Sequence, residues 1–472
     1  MLHWGDQTAP KVHFSGMGGT GMVSVARLAL EAGWEVRGSD NPLYPPTSEM
    51  VEALGVPLAA GYSAVNLDWG PDVVVIGNAL SRGNPEVEAV LNSGLHYMSF
   101  PEFLKDTVLR RRKPISICGT HGKTTTTAIT SFLLDKAGLK PGFLIGGQPL
   151  DFTHASRLGQ EDGPFVVEGD EYDTAFFDKR AKFFHYLPHI AVVTSLEFDH
   201  ADIYEDLEAI EKAFRLMLRQ IPETGHLILC SDDPGALALK EHAPCTVHTY
   251  GISENADWVA EPGTIVNGIQ SFTVKHHDSI MGTVMLPMAG KHNMQNAMAA
   301  LIVGTLHGIP FDTLVTALSS FKGIKRRMEI FHQAQGITFV DDFAHHPTAI
   351  RETIAAARSM WPDQRLTVLF EPRSNTTATN TFQSELAESM AGADRVVVGP
   401  IHRPERYTDD TRLDRNLLAA DIENKGTKVT VADSADAIVK FIRASASDGD
   451  VILILSNGAF DGIYEKIRAV FD

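Results

Sequence analysis

The feature that most constrains this chain is a short apolar run that passes directly into a glycine-rich loop. Residues 114–118 (PISIC) have the composition of a buried strand, GTHGKT follows, and residues 125–137 show a helical pattern that ends at Gly138. In such a strand–loop–helix unit the backbone N–H groups surround a phosphate, a lysine reaches the terminal phosphates and a hydroxyl faces Mg²⁺. Two residues separate the glycines here, whereas the usual phosphate loop has four. We predict an ATP-binding loop made of Gly119, Thr120, His121, Gly122, Lys123, Thr124 and Thr125.

A second glycine loop lies near the N-terminus. GMGGTG (16–21) follows the predicted strand Lys11–Phe14 and precedes the predicted helix Met22–Ala32. This context brings a phosphate to a helix N-terminus, and Asp40 falls where a dinucleotide-binding domain places its ribose-binding acid. The loop alone fits a nicotinamide-dependent oxidoreductase, another phosphorylated ligand, or a turn that binds nothing. An enzyme that activates a carboxylate with ATP while a second domain holds a phosphorylated substrate needs both loops, which favours a ligase.

Short apolar runs alternate with helical stretches from end to end, which predicts an α/β fold with mainly parallel sheets. The predicted strands are Lys11–Phe14, Asp72–Ile76, Pro114–Cys118, Phe165–Glu168, Ile190–Thr194, Arg365–Phe370, Arg395–Val398 and Val451–Leu455. Basic connectors at 110–113 and after Phe321 mark two boundaries. We predict three domains, at residues 1–112, 113–322 and 323–472.

Composition and charge exclude several classes of protein. The net charge of −18 argues against a nucleic-acid partner, which needs a basic surface. No apolar run approaches the length of a membrane span, and the N-terminus lacks the pattern of a signal peptide. The three cysteines show no metal-binding spacing and cannot all pair. We therefore expect a cytoplasmic enzyme without a membrane partner.

Four further segments carry polar groups that suit a functional site. Two of these segments follow predicted strands, one puts its groups on one helix face, and one lies at the start of the third domain. These groups are Glu168, Asp170, Glu171 and Asp173; Asp199, His200 and Asp202; Asn293 and Asn296; and Arg327 and Asp342. Carboxylates directly after Phe165–Glu168 suit Mg²⁺, which prefers oxygen ligands. Asp170 and Asp173 alternatively organise a turn. Arg326 is expected to be a solvated neighbour, because two adjacent side chains do not face the same pocket.

Six motifs occur in the order found in the Mur ligase superfamily: GTHGKTT, EGDEYD, EFDH, HNMQNA, RRME and DDFAHHPT. Over essentially its whole length the chain resembles that superfamily. The resemblance implies a Rossmann-like UDP-binding domain, a central P-loop ATPase-like domain and a Rossmann-like C-terminal domain. The first loop and DDFAHHPT resemble the branch that binds UDP-N-acetylmuramate and ligates to its lactyl carboxylate.

The resemblance also implies a role for each matched residue. Lys123 would bind the β- and γ-phosphates of ATP, and Thr124, Glu168 and His200 would bind Mg²⁺. Other nucleotide contacts would be His292, Asn293, Asn296, Arg327 and Asp342. The UDP-sugar would contact Gly16, Gly18, Gly19, Gly21, Met22, Ser39, Asp40 and Thr47. The carbamylated lysine of many relatives has no assignable counterpart here.

The acceptor is predicted from segments that resemble one part of this branch. EYDTAFFDKR, FEPRSNT and SNGAFDGI are more similar to members that add the murein tripeptide L-alanyl-γ-D-glutamyl-meso-diaminopimelate than to those that add L-alanine, which remains the alternative. The predicted acceptor residues are Phe343, His345, Arg373, Ser374, Asn375, Ser456 and Asn457.

Two further interpretations stay open at this point. The chain could be a nucleotide-sugar sensor that uses ATP as a switch, although a sensor need not keep a metal site. His345 and His346 precede Pro347 and alternatively serve as helix-start residues, and Phe176 and Phe177 are expected in the core.

Overall fold

The computed structural model describes residues 9–44, 47–199 and 203–472, and these form two compact units. The first contains the N-terminal third of the chain, most of the centre, and a short helical stretch around residue 300. The second contains the C-terminal region together with residues 198–206 and 260–297. The division falls within three elements, the strand Trp258–Val266 and the helices Lys291–Leu306 and Phe311–Leu318.

The N-terminal part of the first unit is a five-stranded parallel sheet in the order β3-β2-β1-β4-β5. Val12, Phe14 and all of β4 are buried, as expected for parallel strands covered on both faces. The elements are β1 Lys11–Ser15, α1 Thr20–Glu31, β2 Glu35–Asp40, α2 Thr47–Glu52, β3 Leu58–Ala60, β4 Val73–Ile76, α3 Pro85–Ser93, β5 Tyr97–Ser99 and α4 Phe100–Thr107. The carboxyl ends of β1 and β2 therefore meet at the edge that carries the first glycine loop.

The central part of the first unit contains seven neighbouring strands of a second sheet, in the order β14-β13-β12-β6-β9-β7-β8, in which β8 is antiparallel. Its strands β6 and β12 are buried along their whole length. The elements are β6 Pro114–Cys118, α5 Lys123–Lys136, β7 Gly142–Leu144, β8 Ser156–Arg157, β9 Phe165–Gly169, β10 Asp173–Ala175, β11 Asp178–Ala181, β12 Ile190–Val193, α6 Leu207–Leu218, β13 His226–Cys230, α7 Pro234–Ala238, β14 Thr246–Gly251 and β15 Trp258–Val266.

The second unit is built on a six-stranded sheet in the order β18-β19-β23-β20-β21-β22, with β18 antiparallel. Separate apolar clusters cover its two faces. The remaining elements are β16 Ile269–His276, β17 Ser279–Leu286, α8 Lys291–Leu306, α9 Phe311–Leu318, β18 Glu329–Ala334, β19 Ile337–Asp342, α10 Pro347–Met360, β20 Leu366–Phe370, α11 Asn375–Ala378, α12 Gln383–Ser389, β21 Arg395–Val398, α13 Arg415–Asn424, β22 Lys428–Val431, α14 Ala435–Ser445, β23 Val451–Leu455 and α15 Ile463–Phe471.

All eight predicted strands are present, and none of their ends differs by more than one residue. The two helices that follow the glycine loops start two residues earlier than predicted, at Thr20 and Lys123, because the first two residues of each helix are not apolar and fall outside the apolar pattern. The antiparallel hairpins β10–β11 and β16–β17 were not predicted. Among the described helices, none is long and apolar enough to cross a membrane.

Candidate functional sites

The first glycine loop is tied to the end of β2 by backbone and side-chain hydrogen bonds. The N–H groups of Gly16 and Met17 donate to Ser39 O at 2.9 and 3.1 Å, and Gly18 N donates to Asp40 Oδ2 at 2.6 Å. A Cβ at position 18 would lie 2.2 Å from Leu43 Cδ2 and 2.9 Å from Asp40 Oδ2, so a side chain there must displace a neighbour. The tight turn leads directly into α1, whose N-terminus is suited to an anion.

The residues predicted to contact uridine also shape this loop. Asp40 Oδ1 accepts a hydrogen bond from Tyr62 Oη at 2.8 Å. The pKa of Tyr62 is raised, mainly because the phenol is buried and secondly because it contacts Asp40. The Ser39 side chain is buried, and Thr47 Oγ1 donates to Tyr44 O at 3.0 Å at the start of α2. Asp40 therefore has a structural role in the loop, and its contact with a ribose stays a prediction.

Beneath the loop lies a buried carboxylate that the motifs did not indicate. Glu86 Oε1 accepts from the Ser15 hydroxyl and, at 2.5 Å, from Ser39 Oγ, and His13 Nε2 lies 3.0 Å away. Glu86 Oε2 accepts from Asn66 Nδ2 at 2.6 Å. Burial alone would raise the pKa of Glu86, but these hydrogen bonds lower it to about 2. Glu86 is therefore an ionised carboxylate that joins the ends of β1 and β2.

The second glycine loop packs against the segment that follows β12. A Cβ on Gly119, whose φ is +125°, would lie 2.3 Å from Thr194 Oγ1. Thr120 Oγ1 accepts from Glu197 N at 2.9 Å, and His121 Nε2 lies 3.3 Å from Glu197 Oε2. Thr120 and His121 thus fix the position of the loop.

The lysine of this loop is paired with a carboxylate of the EGDEYD segment. Lys123 Nζ lies 2.8 Å from both carboxylate oxygens of Glu171 and donates to Gly119 O at 2.7 Å. Burial would lower the pKa of Lys123, but Glu171 and then Asp170 raise it. The ammonium is charged, and a phosphate that binds it must compete with Glu171.

Thr124 and Glu168, predicted to bind Mg²⁺, lie together beside the lysine. Thr124 Oγ1 donates to Glu168 Oε1 at 2.9 Å, and Gly146 N donates to Glu168 Oε2 at 2.7 Å. Burial raises the pKa of Glu168 more than Lys123 lowers it. A hydroxyl and a carboxylate in contact fit a hard divalent cation, which would also relieve the cost of burying the charge. Thr125 is buried in the first turn of α5, and His200 lies outside the described residues.

Asp170 and Asp173 form ion pairs that support the alternative interpretation, in which these two residues organise a turn. Asp170 Oδ2 accepts from Lys182 Nζ at 2.5 Å, and Asp173 Oδ2 accepts from Lys179 Nζ at the same distance. These ion pairs hold the turn and the hairpin after β9, which explains the acids without a metal ion.

The amide residues of α8 share one face, as their spacing predicts. Asn293 and Asn296 are both buried, and their side chains lie 3.5 Å apart. Asn293 Nδ2 also donates to Ala289 O at 2.8 Å, while His292 lies half-buried beside them in the first turn. Their contact with a nucleotide stays a prediction.

The prediction for Arg326 is wrong. Its Nε lies 3.1 Å from Asp341 Oδ2, and its Nη2 donates to Ser456 O. Arg326 has a φ of +61°, so the turn directs its side chain toward the buried Asp341 instead of solvent. The Arg327 guanidinium lies 5.1 Å from the centroid of the Phe343 ring, and the Arg326 guanidinium lies 5.2 Å from the same ring.

Asp342 is buried at the end of β19 and caps two backbone groups. Its carboxylate accepts from Met328 N at 2.8 Å and Ala344 N at 2.9 Å. Burial raises the pKa of Asp342, and the charge of Arg327 opposes that shift. Asp342 therefore holds the turn that carries Arg327.

The histidines that follow have different local roles. His346 caps α10 by accepting from Thr348 N, which confirms the helix-start interpretation for this residue. His345 Nδ1 lies 3.0 Å from Phe343 O, and the rings of these two predicted acceptor residues meet edge to face. Phe176 and Phe177 pack against the core of the N-terminal sheet, as expected.

The remaining predicted acceptor residues follow the adjacent strands β20 and β23, where Phe370 pairs with Leu455. Ser374 caps the short helix α11, and Asn375 Oδ1 accepts from Tyr407 Oη at 3.0 Å. Asn457 Oδ1 is buried and has no hydrogen-bond partner among the described residues. Arg373 and Ser456 meet through Glu371, which the sequence did not indicate.

Comparison with known proteins decides the family. Models described as "Mur ligase family, catalytic domain", "Mur ligase middle domain" and "Mur ligase, glutamate ligase domain" match residues 11–112, 117–304 and 326–458. The chain belongs to the Mur ligase family. It is therefore a ligase with the three-domain α/β fold of that family, whose members are ATP-dependent. The oxidoreductase alternative is set aside, and the domain boundaries stay predictions.

Individual relatives within the family differ in their named acceptor. The chain is 40% identical over 461 residues to the UDP-N-acetylmuramate–L-alanyl-γ-D-glutamyl-meso-2,6-diaminoheptandioate ligase of Escherichia coli, and the match covers 97% of each chain. It is 34% identical to the UDP-N-acetylmuramate–L-alanine ligase of Roseiflexus, over 95% of this chain and 96% of the relative. Among solved structures, the murein peptide ligase of Psychrobacter arcticus matches with a TM-score of 0.73 and 38% identity, over 98% and 99% of the two chains.

Glu86, Glu171 and Glu371 are the residues that sequence reasoning left without a role or did not name. Glu171 lies in a recognised motif but had no assigned partner. Glu86 follows Asn84-Pro85, a helix-start pattern, and this was the available local signal for a buried acid in the first turn. Glu371 directly follows a fully buried strand.

Proposed function

We propose that this protein joins the tripeptide L-alanyl-γ-D-glutamyl-meso-diaminopimelate to the lactyl carboxylate of UDP-N-acetylmuramate, with ATP as the energy source. The greater similarity to the E. coli tripeptide ligase than to the Roseiflexus L-alanine ligase supports this acceptor. The match to the Psychrobacter murein peptide ligase supports it as well. Recycling of cell-wall peptide is the process that such a reaction serves.

The observation that carries the proposal is the presence of two glycine-rich loops, each between a strand and a helix, on two different sheets. The first lies at the N-terminus of α1 and suits the pyrophosphate of a UDP-sugar. The second brings Lys123, Thr124 and Glu168 together, and suits a nucleoside triphosphate with its cation. Two separate phosphorylated ligands are what a carboxylate-activating ligase needs.

In the proposed reaction the lactyl carboxylate attacks the γ-phosphorus of ATP, and an acyl phosphate and ADP form. The amino group of the acceptor then attacks the acyl carbon, and phosphate leaves from the tetrahedral intermediate. Lys123 neutralises charge on the terminal phosphates once Glu171 releases it, and, from the resemblance, Arg327 would contact the nucleotide. Mg²⁺, held by Thr124 and Glu168 and, from the resemblance, by His200, would screen the phosphate oxygens. Otherwise the chain positions the reactants.

The test is ADP release with UDP-N-acetylmuramate, ATP and one acceptor at a time. We expect turnover with the tripeptide to exceed turnover with free L-alanine at equal concentration, and none without UDP-N-acetylmuramate. Faster turnover with L-alanine would assign the alternative activity. ADP release that does not depend on any acceptor or on the UDP-sugar would contradict the ligase proposal.

A further inference from the structure

A buried glutamate organises the carboxyl edge of the C-terminal sheet. Glu371 directly follows β20, and its N–H donates to Leu455 O at 3.0 Å. Its side chain is buried, and Glu371 Oε2 accepts from Ser456 Oγ at 2.5 Å. The carboxylate thereby joins the ends of two neighbouring strands at the edge where an open α/β sheet binds its ligands.

The same carboxylate holds one end of the Arg373 guanidinium. Arg373 Nη1 lies 3.3 Å from Glu371 Oε1 and 3.4 Å from His402 Nδ1. The backbone of Arg373 is also held, since its N–H donates to Thr377 Oγ1 at 3.1 Å. With Nη1 held by both partners, the plane of the guanidinium is restricted.

The flat side of the guanidinium rests against a residue that has no side chain. A Cβ on Gly458 would lie 1.9 Å from Arg373 Nε and 2.1 Å from its Cζ. The nearest atoms belong to the end of a flexible side chain, so an alanine at 458 is accommodated when Arg373 moves away. Gly458 therefore permits the position that Glu371 imposes.

The opposite edge of Arg373 remains available. Within the part of the chain that the structure describes, neither Nε nor Nη2 of Arg373 has a hydrogen-bond partner, and the side chain is partly exposed. Two parallel N–H groups on one edge of a guanidinium match the two oxygens of a carboxylate.

We propose that Glu371 and Gly458 are positioning residues that hold Arg373 so that its Nε–Nη2 edge binds a carboxylate of the acceptor. This inference rests on the proposed ligase function and names the ligand chemistry of its acceptor site. Glu371 acts through Arg373, because Glu371 itself is buried and faces Ser456.

Steady-state kinetics of ADP release, with the acceptor varied and the other substrates saturating, tests the proposal. Arg373→Ala should raise the KM for the acceptor about 100-fold, because it removes a bidentate charge-assisted contact. Glu371→Gln and Gly458→Ala should each raise it about tenfold and leave kcat within about twofold. The matched control is Arg358→Ala, which breaks an ion pair with Asp394 at the amino end of β20 and should leave the KM unchanged.

A double variant separates positioning from general loosening of the fold. Because Gly458 acts through Arg373, Arg373→Ala/Gly458→Ala should be no worse than Arg373→Ala alone. Additive losses, or an unchanged KM in Glu371→Gln, would overturn the inference while leaving the ligase function standing. If L-alanine is the better acceptor, the proposal of a tripeptide acceptor is wrong. The same variants then test the role of Glu371 and Gly458 through the KM for L-alanine. Absence of ligation with both acceptors overturns both proposals.

Discussion

Replacing Glu86 by glutamine should destabilise the N-terminal sheet and remove part of its pH dependence. Hydrogen bonds lower the pKa of Glu86 from 4.5 to about 2 in the folded protein. A group with a depressed pKa contributes stability that is present above its unfolded pKa and is lost as the pH falls through its folded pKa. At about 1.4 kcal/mol per unit, the ionised Glu86 contributes about 3 kcal/mol at neutral pH. Glutamine keeps the shape but loses this contribution.

Urea unfolding of the wild type and Glu86→Gln, monitored by fluorescence, measures the effect. The difference in the free energy of unfolding should shrink from about 3 kcal/mol at pH 7 to about 1 kcal/mol at pH 3, because at pH 3 Glu86 is protonated in the unfolded wild-type chain and still ionised in the folded one. Glu88→Gln is the control, since Glu88 lies on the same helix but forms an exposed pair with Arg82, and it should change little at either pH. A difference between wild type and Glu86→Gln that stays constant with pH would refute the reasoning.

Three further predictions concern the two glycine loops. Lys123→Ala should abolish ligation and leave UDP-N-acetylmuramate affinity in calorimetry unchanged, because the two loops lie on different sheets; a parallel loss of that affinity would contradict this division. Glu168→Gln should reduce turnover about 100-fold without lowering thermal stability, because the cation loses a carboxylate ligand. Turnover of Glu168→Gln equal to that of the wild type at every Mg²⁺ concentration would remove Glu168 from the metal site. Gly18→Ala should weaken UDP-N-acetylmuramate binding about tenfold by displacing Leu43 and Asp40. An unchanged affinity in Gly18→Ala would argue against the collision.

The strands and the loops were predictable because their signals are local. Pro114–Cys118 is buried along its whole length, so its apolar run had one reasonable interpretation, and the loop glycines follow it directly. The position of α5 relative to Lys123 was missed by two residues, because a helix start depends on loop backbone geometry that the apolar pattern does not contain.

The side-chain networks were not predictable, because their members are distant in the chain. Ser15 and Glu86 are separated by 71 residues, and Glu371 and Ser456 by 85. The wrong prediction for Arg326 has the same origin, since its buried partner, Asp341, is 15 residues away. An adjacent pair of arginines gives no local indication of which one faces that partner.

The three sheets share one arrangement at the ends of their strands, where a serine or threonine hydroxyl donates to a buried or half-buried glutamate. The pairs are Ser39–Glu86, Thr124–Glu168 and Ser456–Glu371. A carboxylate taken out of water is costly unless donors satisfy it, and a hydroxyl does so without adding a positive charge. In each pair the donor and acceptor come from different parts of the fold, so the contact forms only when those parts have packed together. We therefore predict that loss of one pair impairs binding of the substrate predicted for that edge before it impairs binding of the other substrates.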